Sequence, residues 1–242
     1  MSQNHIAQRI PIALDFDGCI AIGEPTKIKY AKFFHKIDIG PKTCMKATYP
    51  LGPVMYKQLM DKVMAEHTDE YLLDPQCKEV LSTMSKEGFE FLIITFRDPT
   101  GVKTCKEFIK KYQLPIKEVC GTNDQSKKEY CEKNHVRAMI DDTLAKLLDL
   151  TDLSIHLFFL KRDWNTHEKV TKELEKEISP LSSWEEFANK LRDMKAMHEA
   201  ICVYKNIINS DAHLAEIHQV IKTDPFLAQR ALQEYRRREL ES

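Results

Sequence analysis

The chain has 242 residues, 43% of them apolar, and a formal net charge of −1, enough for one generous domain or a core with an insert and an extension. That balance implies neither a nucleic-acid nor a polyanionic partner overall, and no run approaches the ~20 apolar residues needed to span a bilayer. Seven cysteines without C-x-x-C spacing fit neither a disulfide frame nor a zinc site, and a reducing, cytoplasmic setting is expected.

Residues 1–9 are polar and lack the apolar core of a leader peptide. The run Ile10-Pro11-Ile12-Ala13-Leu14 is strand-sized and stops at Asp15-Phe16-Asp17-Gly18, two carboxylates one residue apart and a glycine suited to a tight turn. By itself, such a tetrapeptide also fits a turn closing a hairpin. Helical spacing follows over 26–38 and 54–66, with Pro41, Pro50, Gly52 and Pro53 between them, so 23–74 reads as a small helical insert. Its methionines are expected to pack its core.

From Pro75 the pattern alternates. A helix over 75–87 stops at Gly88; FEFLIIT over 89–95 is a β-rich run suited to burial on both faces; a helix over 101–112 precedes a strand over 115–120. Helix 126–134, strand 136–140, helix 143–150 and strand 154–160 complete the series. Alternation of this kind requires crossovers, hence a parallel sheet in a three-layer α/β core. Beyond Leu160 the signals are helical only. Ser183-Trp184-Glu185-Glu186 is a capping-box sequence, and Asp224-Pro225 opens a last helix ending in Arg236-Arg237-Arg238, a cationic end matched to the helix dipole, for which no nucleic-acid role is expected. The expected division is a core of 1–22 and 75–194, an insert of 23–74 and a helical extension of 195–242.

Strand ends and helix starts carry the chemistry. Asp15 and Asp17 follow the first strand, Thr95 closes the second, Lys127 lies at a helix start, and Asp141-Asp142 closes the 136–140 strand. In a parallel sheet these gather at one edge, where α/β proteins bind ligands. A carboxylate can attack phosphorus, and a second one two positions on can move the proton if charged neighbours raise its pKa. Mg²⁺ takes carboxylate and phosphate oxygens, which asks for a further acid from another loop. A hydroxyl and an ammonium would hold the transferring oxygens.

The ordered set, an apolar strand ending in DxDG, a strand ending in Thr, a helix-borne Lys and a strand ending in Asp-Asp, resembles the haloacid dehalogenase (HAD) superfamily of phosphotransferases over about residues 10–160. The resemblance implies a Rossmann-like core, a small cap after the first strand and an aspartyl-phosphate mechanism. By position Asp15 is the implied nucleophile and Asp17 the general acid/base. Thr95, Lys127 and Arg97 are implied for phosphate, and Asp15, Asp17, Asp141 and Asp142 for Mg²⁺. Lys127 is preferred to Lys128 on spacing to Asp141, with Lys128 left open, and Arg97 is as well suited to pairing with an acid. Asp17 favours phosphatases over members acting on carbon–halogen bonds. Cys19 stands where Thr or Val is usual and is expected to pack.

Short stretches, Thr95-Phe96-Arg97, Arg162-Asp163-Trp164-Asn165 and Ser183-Trp184-Glu185-Glu186-Phe187, are similar to the 5′(3′)-deoxyribonucleotidase group. Phe33, Phe34, Tyr49 and Tyr56 are then candidates for stacking on a base, or for cap core; Trp164 and Asn165 either fix their loop or touch ligand. The implied function is a Mg²⁺-dependent phosphomonoesterase on a nucleotide or other small phosphate ester. Alternatives are a sugar-phosphate or polynucleotide-end phosphatase, or an interaction protein working through its tail. Ile201, Val203, Ile207 and Ile208 are expected to pack on the chain itself, with a homodimer through the C-terminal helices as the other outcome. His67, His135, His156 and His167 lack the spacing of a metal site.

Overall fold

The computed structural model describes residues 9–208, with side chains to 199. The chain divides into two compact units, 1–186 and 187–242. The first holds β1 (Ile10–Leu14), β2 (Ala21–Ile22), α1 (Glu24–Tyr30), α2 (Gly52–Glu66), β3 (Leu72–Leu73), α3 (Cys77–Lys86), β4 (Phe89–Thr95), α4 (Pro99–Tyr112), β5 (Ile116–Gly121), α5 (Lys128–Lys133), β6 (Ala138–Asp141), α6 (Leu144–Leu148), β7 (His156–Leu160) and β8 (Ile178–Leu181). Helix α7 (Trp184–Ile208) starts in the first unit and runs into the second without a break at Lys195. The expected last helix at Asp224-Pro225 and its basic end lie outside the described residues.

Six strands form one sheet in the order β5-β4-β1-β6-β7-β8, and every neighbouring pair is parallel. Each strand is therefore reached by a crossover, as the alternation predicts. The chain builds β4 and β5 on one side of β1 and then β6, β7 and β8 on the other. This reversal leaves a crevice at the carboxyl end of β1. The register aligns Leu92, Ala13, Met139, Leu157 and Ile178 across one face, where they pack with Cys131, Leu144, Leu147 and Leu150 in a buried cluster. Their alternates Ile12, Leu14, Phe91, Ile93 and Ile140 are buried too, so both faces are covered.

Strand β8 corrects the expectation that only helices follow Leu160. Ile-Ser-Pro-Leu buries its two ends, Ile178 and Leu181, and Pro180 stands opposite Phe159. Proline is tolerated on an edge strand because no further partner needs its missing N–H, and that composition hides the strand from a periodicity reading.

The segment between β1 and β4 leaves and rejoins the sheet through the antiparallel pair β2 and β3. Helix α1 gives way at Ala31 to one wide turn over Ala31–His35, ended by Lys36 in the left-handed region at φ 56°. The expected helix over 26–38 is thus shorter and irregular. At the start of α7 the Glu186 amide donates to Ser183 Oγ at 3.1 Å, while the Glu186 carboxylate accepts from the Ser182 amide at 2.7 Å. Ser183 caps as predicted, and the return contact falls one residue earlier than in a standard capping box.

Met139 is fully buried in the shared row. Met139→Ala is expected to destabilise the protein by roughly 2–5 kcal/mol in a denaturant titration, as for other large core truncations.

Candidate active site

The predicted residues converge at the crevice. Asp15 directly follows β1 and its amide still donates to Ile140 O at 2.9 Å, which extends the ladder by one residue. Asp141 ends the neighbouring β6, and Thr95, buried, ends β4 on the other side. Lys127 arrives from the loop after β5. That loop is tied to the one after β4 by three backbone bonds, Thr122 N to Thr95 O at 2.8 Å, Asn123 N to Arg97 O at 3.3 Å and Asp124 N to Phe96 O at 3.0 Å. Asn123 and Asp124 take positive φ, which their short polar side chains tolerate.

Lys127 Nζ donates to Asp15 Oδ1 at 2.6 Å and to Asp141 Oδ2 at 2.7 Å, all three side chains being almost wholly buried. Lys128 points elsewhere and pairs with Asp152 at the surface. A second ammonium, Lys146 of α6, stands 3.8 Å from Asp15 Oδ2 and 4.0 Å from Asp141 Oδ1, with the Phe96 ring beneath it at 4.7 Å. Burial acts to lower the Lys146 pKa, but the fields of Asp141, Asp15 and Asp142 outweigh it and hold the ammonium charged. Sequence reasoning missed Lys146; its only signal is a cation in the helix that begins just after the acidic pair.

Asp142 Oδ2 accepts from Trp164 Nε1 at 2.7 Å, and its backbone oxygen accepts from Asn165 Nδ2 at 2.8 Å. Trp164 and Asn165 thus hold the acidic pair's loop. Arg162 was also missed as a positioning residue: it donates to Gly18 O at 3.1 Å, Cys19 O at 3.0 Å and Asp74 Oδ2 at 2.6 Å, pinning the turn after Asp17. Gly18 has φ +87° and passes so close to Asp142 that a Cβ there would lie 2.0 Å from Oδ2.

Asp17 is held differently. Arg97, fully buried, clamps it with two bonds, Nε to Oδ2 at 2.9 Å and a terminal nitrogen to Oδ1 at 2.7 Å. Its other terminal nitrogen donates to Thr68 Oγ1 at 2.7 Å and Thr104 Oγ1 at 3.0 Å. Of the two roles open to Arg97, pairing with an acid is the arrangement observed. Burial pushes the Asp17 carboxyl up, but Arg97 outweighs it and holds the group below the usual range. The elevation that was the condition for moving the proton is not found, because the nearest neighbour is a bidentate cation.

The other carboxyls move the opposite way. Burial and Asp141 raise Asp15 against the pull of Lys127, and burial, Asp141 and Asp15 push Asp142 up to about 7. Burial, then Asp142, raises the Cys19 thiol well above its usual value, which keeps it protonated beside the site.

Asp15, Asp141 and Asp142 each offer an oxygen within 4.8 Å of the others, and Asp15 Oδ2 is buried without a hydrogen-bond partner. An all-oxygen, anionic set with an unengaged atom fits a hard divalent cation such as Mg²⁺. The Asp17 carboxylate lies outside this set, both its oxygens being taken by Arg97.

Among the insert aromatics, Tyr49 is buried with its hydroxyl 2.7 Å from His35 Nδ1, and Phe34 stacks on Tyr30, which stacks on His67. Tyr56 lies against Tyr49, and Phe33 is 63% exposed.

No protein-family model and no curated protein matches the sequence. Solved structures match its fold. A predicted phosphatase from Clostridium acetobutylicum superposes with a TM-score of 0.54 at 14% identity, covering 77% of this chain and 100% of its own. A haloacid dehalogenase-like hydrolase from Streptococcus pneumoniae gives 0.54 at 13%, covering 76% and 98%. The fold is haloacid dehalogenase-like. CbbY from Rhodobacter sphaeroides, solved in complex with xylulose-(1,5)-bisphosphate, shares this HAD-like fold at a TM-score of 0.51 and 13% identity, covering 73% of this chain and 95% of its own. Among the described residues no helix is long and apolar enough to cross a membrane.

Two outcomes follow from the geometry. Gly18→Ala meets both the positive φ and the Asp142 carboxylate, and is expected to cost roughly 1–3 kcal/mol in stability. Asp142, raised from 3.8 to about 7, stabilises the fold in its protonated form, a contribution present below 3.8 and lost as pH rises through 7. In chelator, thermal melts of Asp142→Asn should gain on those of the unsubstituted protein from about pH 4 to about pH 7, whereas a pH-independent difference would contradict the assignment.

Proposed function

We propose that the protein is a Mg²⁺-dependent phosphomonoesterase that works through an aspartyl-phosphate on Asp15 and acts on a nucleotide or another small phosphate ester. The observation that carries this reading is the Asp15 carboxylate itself: Oδ1 is fixed by Lys127 at 2.6 Å, while Oδ2 is buried and unengaged, facing Lys146 at 3.8 Å. A nucleophile needs one oxygen held and one free. With Asp17, Asp141, Asp142 and Arg97, these groups sum to −1 when all are ionised, so a dianionic phosphate requires added positive charge.

Asp15, Asp141 and Asp142 would hold Mg²⁺, which supplies Lewis-acid charge to the phosphate oxygens when bound. The Asp15 carboxylate attacks phosphorus, and the bond from phosphorus to the leaving oxygen breaks as Asp17 delivers a proton to that oxygen. In the second step Asp17, again ionised, takes a proton from water, which attacks the phosphoryl group and releases Asp15. Arg97 favours the ionised form of Asp17 and so favours the second step. Lys127 holds Asp15 and Asp141 apart and, with Lys146 and Thr95, faces the transferring oxygens.

A nucleotide substrate is supported by the short local similarities in sequence. A sugar phosphate is supported by CbbY, whose structure holds xylulose-(1,5)-bisphosphate on the same fold.

Phosphate release from a panel of aryl, sugar and nucleoside phosphates should require Mg²⁺. Asp15→Asn should lower kcat by about 10⁴-fold or more. Undiminished, metal-independent release by that variant would sink the reading.

A further inference from the structure

Away from the carboxylate cluster, the first turns of α1 bury two charges that the fold leaves poorly satisfied. The side chains of Glu24 and Lys27 are 6% and 5% exposed, and their closest approach is 3.8 Å, beyond a hydrogen bond. Neither carboxylate oxygen of Glu24 has a hydrogen-bond partner, and the buried hydroxyl of Tyr71 has none either. Burying an ion pair is repaid only when further hydrogen bonds complete it, so an incomplete pair is a cost to the fold. Packing alone does not account for it.

These groups adjoin the acid/base side of the site. Gly23 lets the Tyr71 ring lie on the start of α1, since a Cβ at that position would stand 2.6 Å from the ring and 3.1 Å from its hydroxyl. The Arg97 guanidinium also lies over that ring, 5.5 Å from its centre, and Arg97 holds Asp17 at 2.7 Å. Glu24, the residue after Gly23, is thus linked through the Tyr71 ring and Arg97 to Asp17, the carboxylate assigned the leaving oxygen's proton. The field agrees: burial raises the Asp17 carboxyl, Arg97 lowers it, and Lys27 lowers it further. A leaving group must lie on this side, beside Asp17.

We propose that Glu24, Lys27 and Tyr71 form a subsite for the vicinal hydroxyls of a sugar in the leaving group, an inference that rests on the phosphomonoesterase reading. A carboxylate offers only acceptors and an ammonium only donors. Each hydroxyl of a diol donates to one Glu24 oxygen and accepts from Lys27 or Tyr71, which completes every group the fold leaves open. A deoxy or aryl leaving group leaves at least one of them buried and unpaired. The diol belongs either to a free sugar phosphate or to a ribonucleoside monophosphate, and the two share this chemistry.

The test compares kcat/KM for ribose 5-phosphate against 2-deoxyribose 5-phosphate, and for adenosine 5′-monophosphate against its 2′-deoxy counterpart. A hydrogen bond to a charged group predicts a ribo-to-deoxy ratio of about tenfold or more in at least one pair. Whichever pair shows it identifies the source of the diol. In Glu24→Gln and Lys27→Met that ratio should fall toward one. A ratio near one in the unsubstituted protein for both pairs, or one unmoved by both variants, overturns the subsite. The double variant Glu24→Gln/Lys27→Met should melt at or above the unsubstituted protein, because the buried pair is incomplete; a large fall in melting temperature would make the pair structural and overturn the proposal. Absence of phosphate release even from phenyl phosphate would refute the phosphatase reading instead. Calorimetric titration of ribose and 2-deoxyribose 5-phosphates into Asp15→Asn then decides the subsite, and equal affinities reject it.

Discussion

The bond that organises the molecule is the Lys127 ammonium set between Asp15 and Asp141. Two parallel neighbours, β1 and β6, end in carboxylates that face each other in a buried crevice, and without a cation between them that convergence would be strongly unfavourable. Lys146 adds a second positive charge on the far side of the same pair. The loop after β5 carries Lys127 into place because its backbone is bonded to the loop after β4, so the charge balance of the site depends on the register of the sheet. The result is a pocket that retains negative charge, which suits it to a divalent cation and a phosphate together.

Around that centre the structure separates the two aspartates of the DxDG motif. Asp15 belongs to the strand and the carboxylate cluster; Asp17 belongs to Arg97. Through Thr68 the same guanidinium reaches the segment just after α2, so the protonation of Asp17 is tied to the insert as well as to the core. Arg162 fastens the turn between them to Asp74, where the insert returns. A movement of the insert would therefore alter the surroundings of Asp17 while leaving the contacts of Asp15 with Lys127 in place.

Much of this was legible in the sequence. Strand-sized apolar runs alternating with helical spacing are enough for a parallel three-layer sheet, since both periodicities are local. Asp15, Asp17, Thr95, Lys127, Asp141 and Asp142 stand out because each interrupts or follows such a run with a residue type that a packed core does not need. Strand β8 was hidden, because Ile178-Ser179-Pro180-Leu181 has no alternation and an edge strand requires none.

Local pattern thus accounts for the order of the elements and for which residues stand at their tips. Pairings across the fold came from elsewhere. Lys146 and Arg162 are ordinary surface-type residues in the sequence, and only the closing of α6 and the loop after β7 onto the strand ends turns one into a counter-ion and the other into a clamp. The preference of Lys127 over Lys128 depends on which of two adjacent side chains faces inward at a helix start, a difference of about 100° that composition does not carry. The unpartnered Glu24 oxygens and their long approach to Lys27 are likewise invisible in one dimension, because burial and missing partners are properties of the assembled insert.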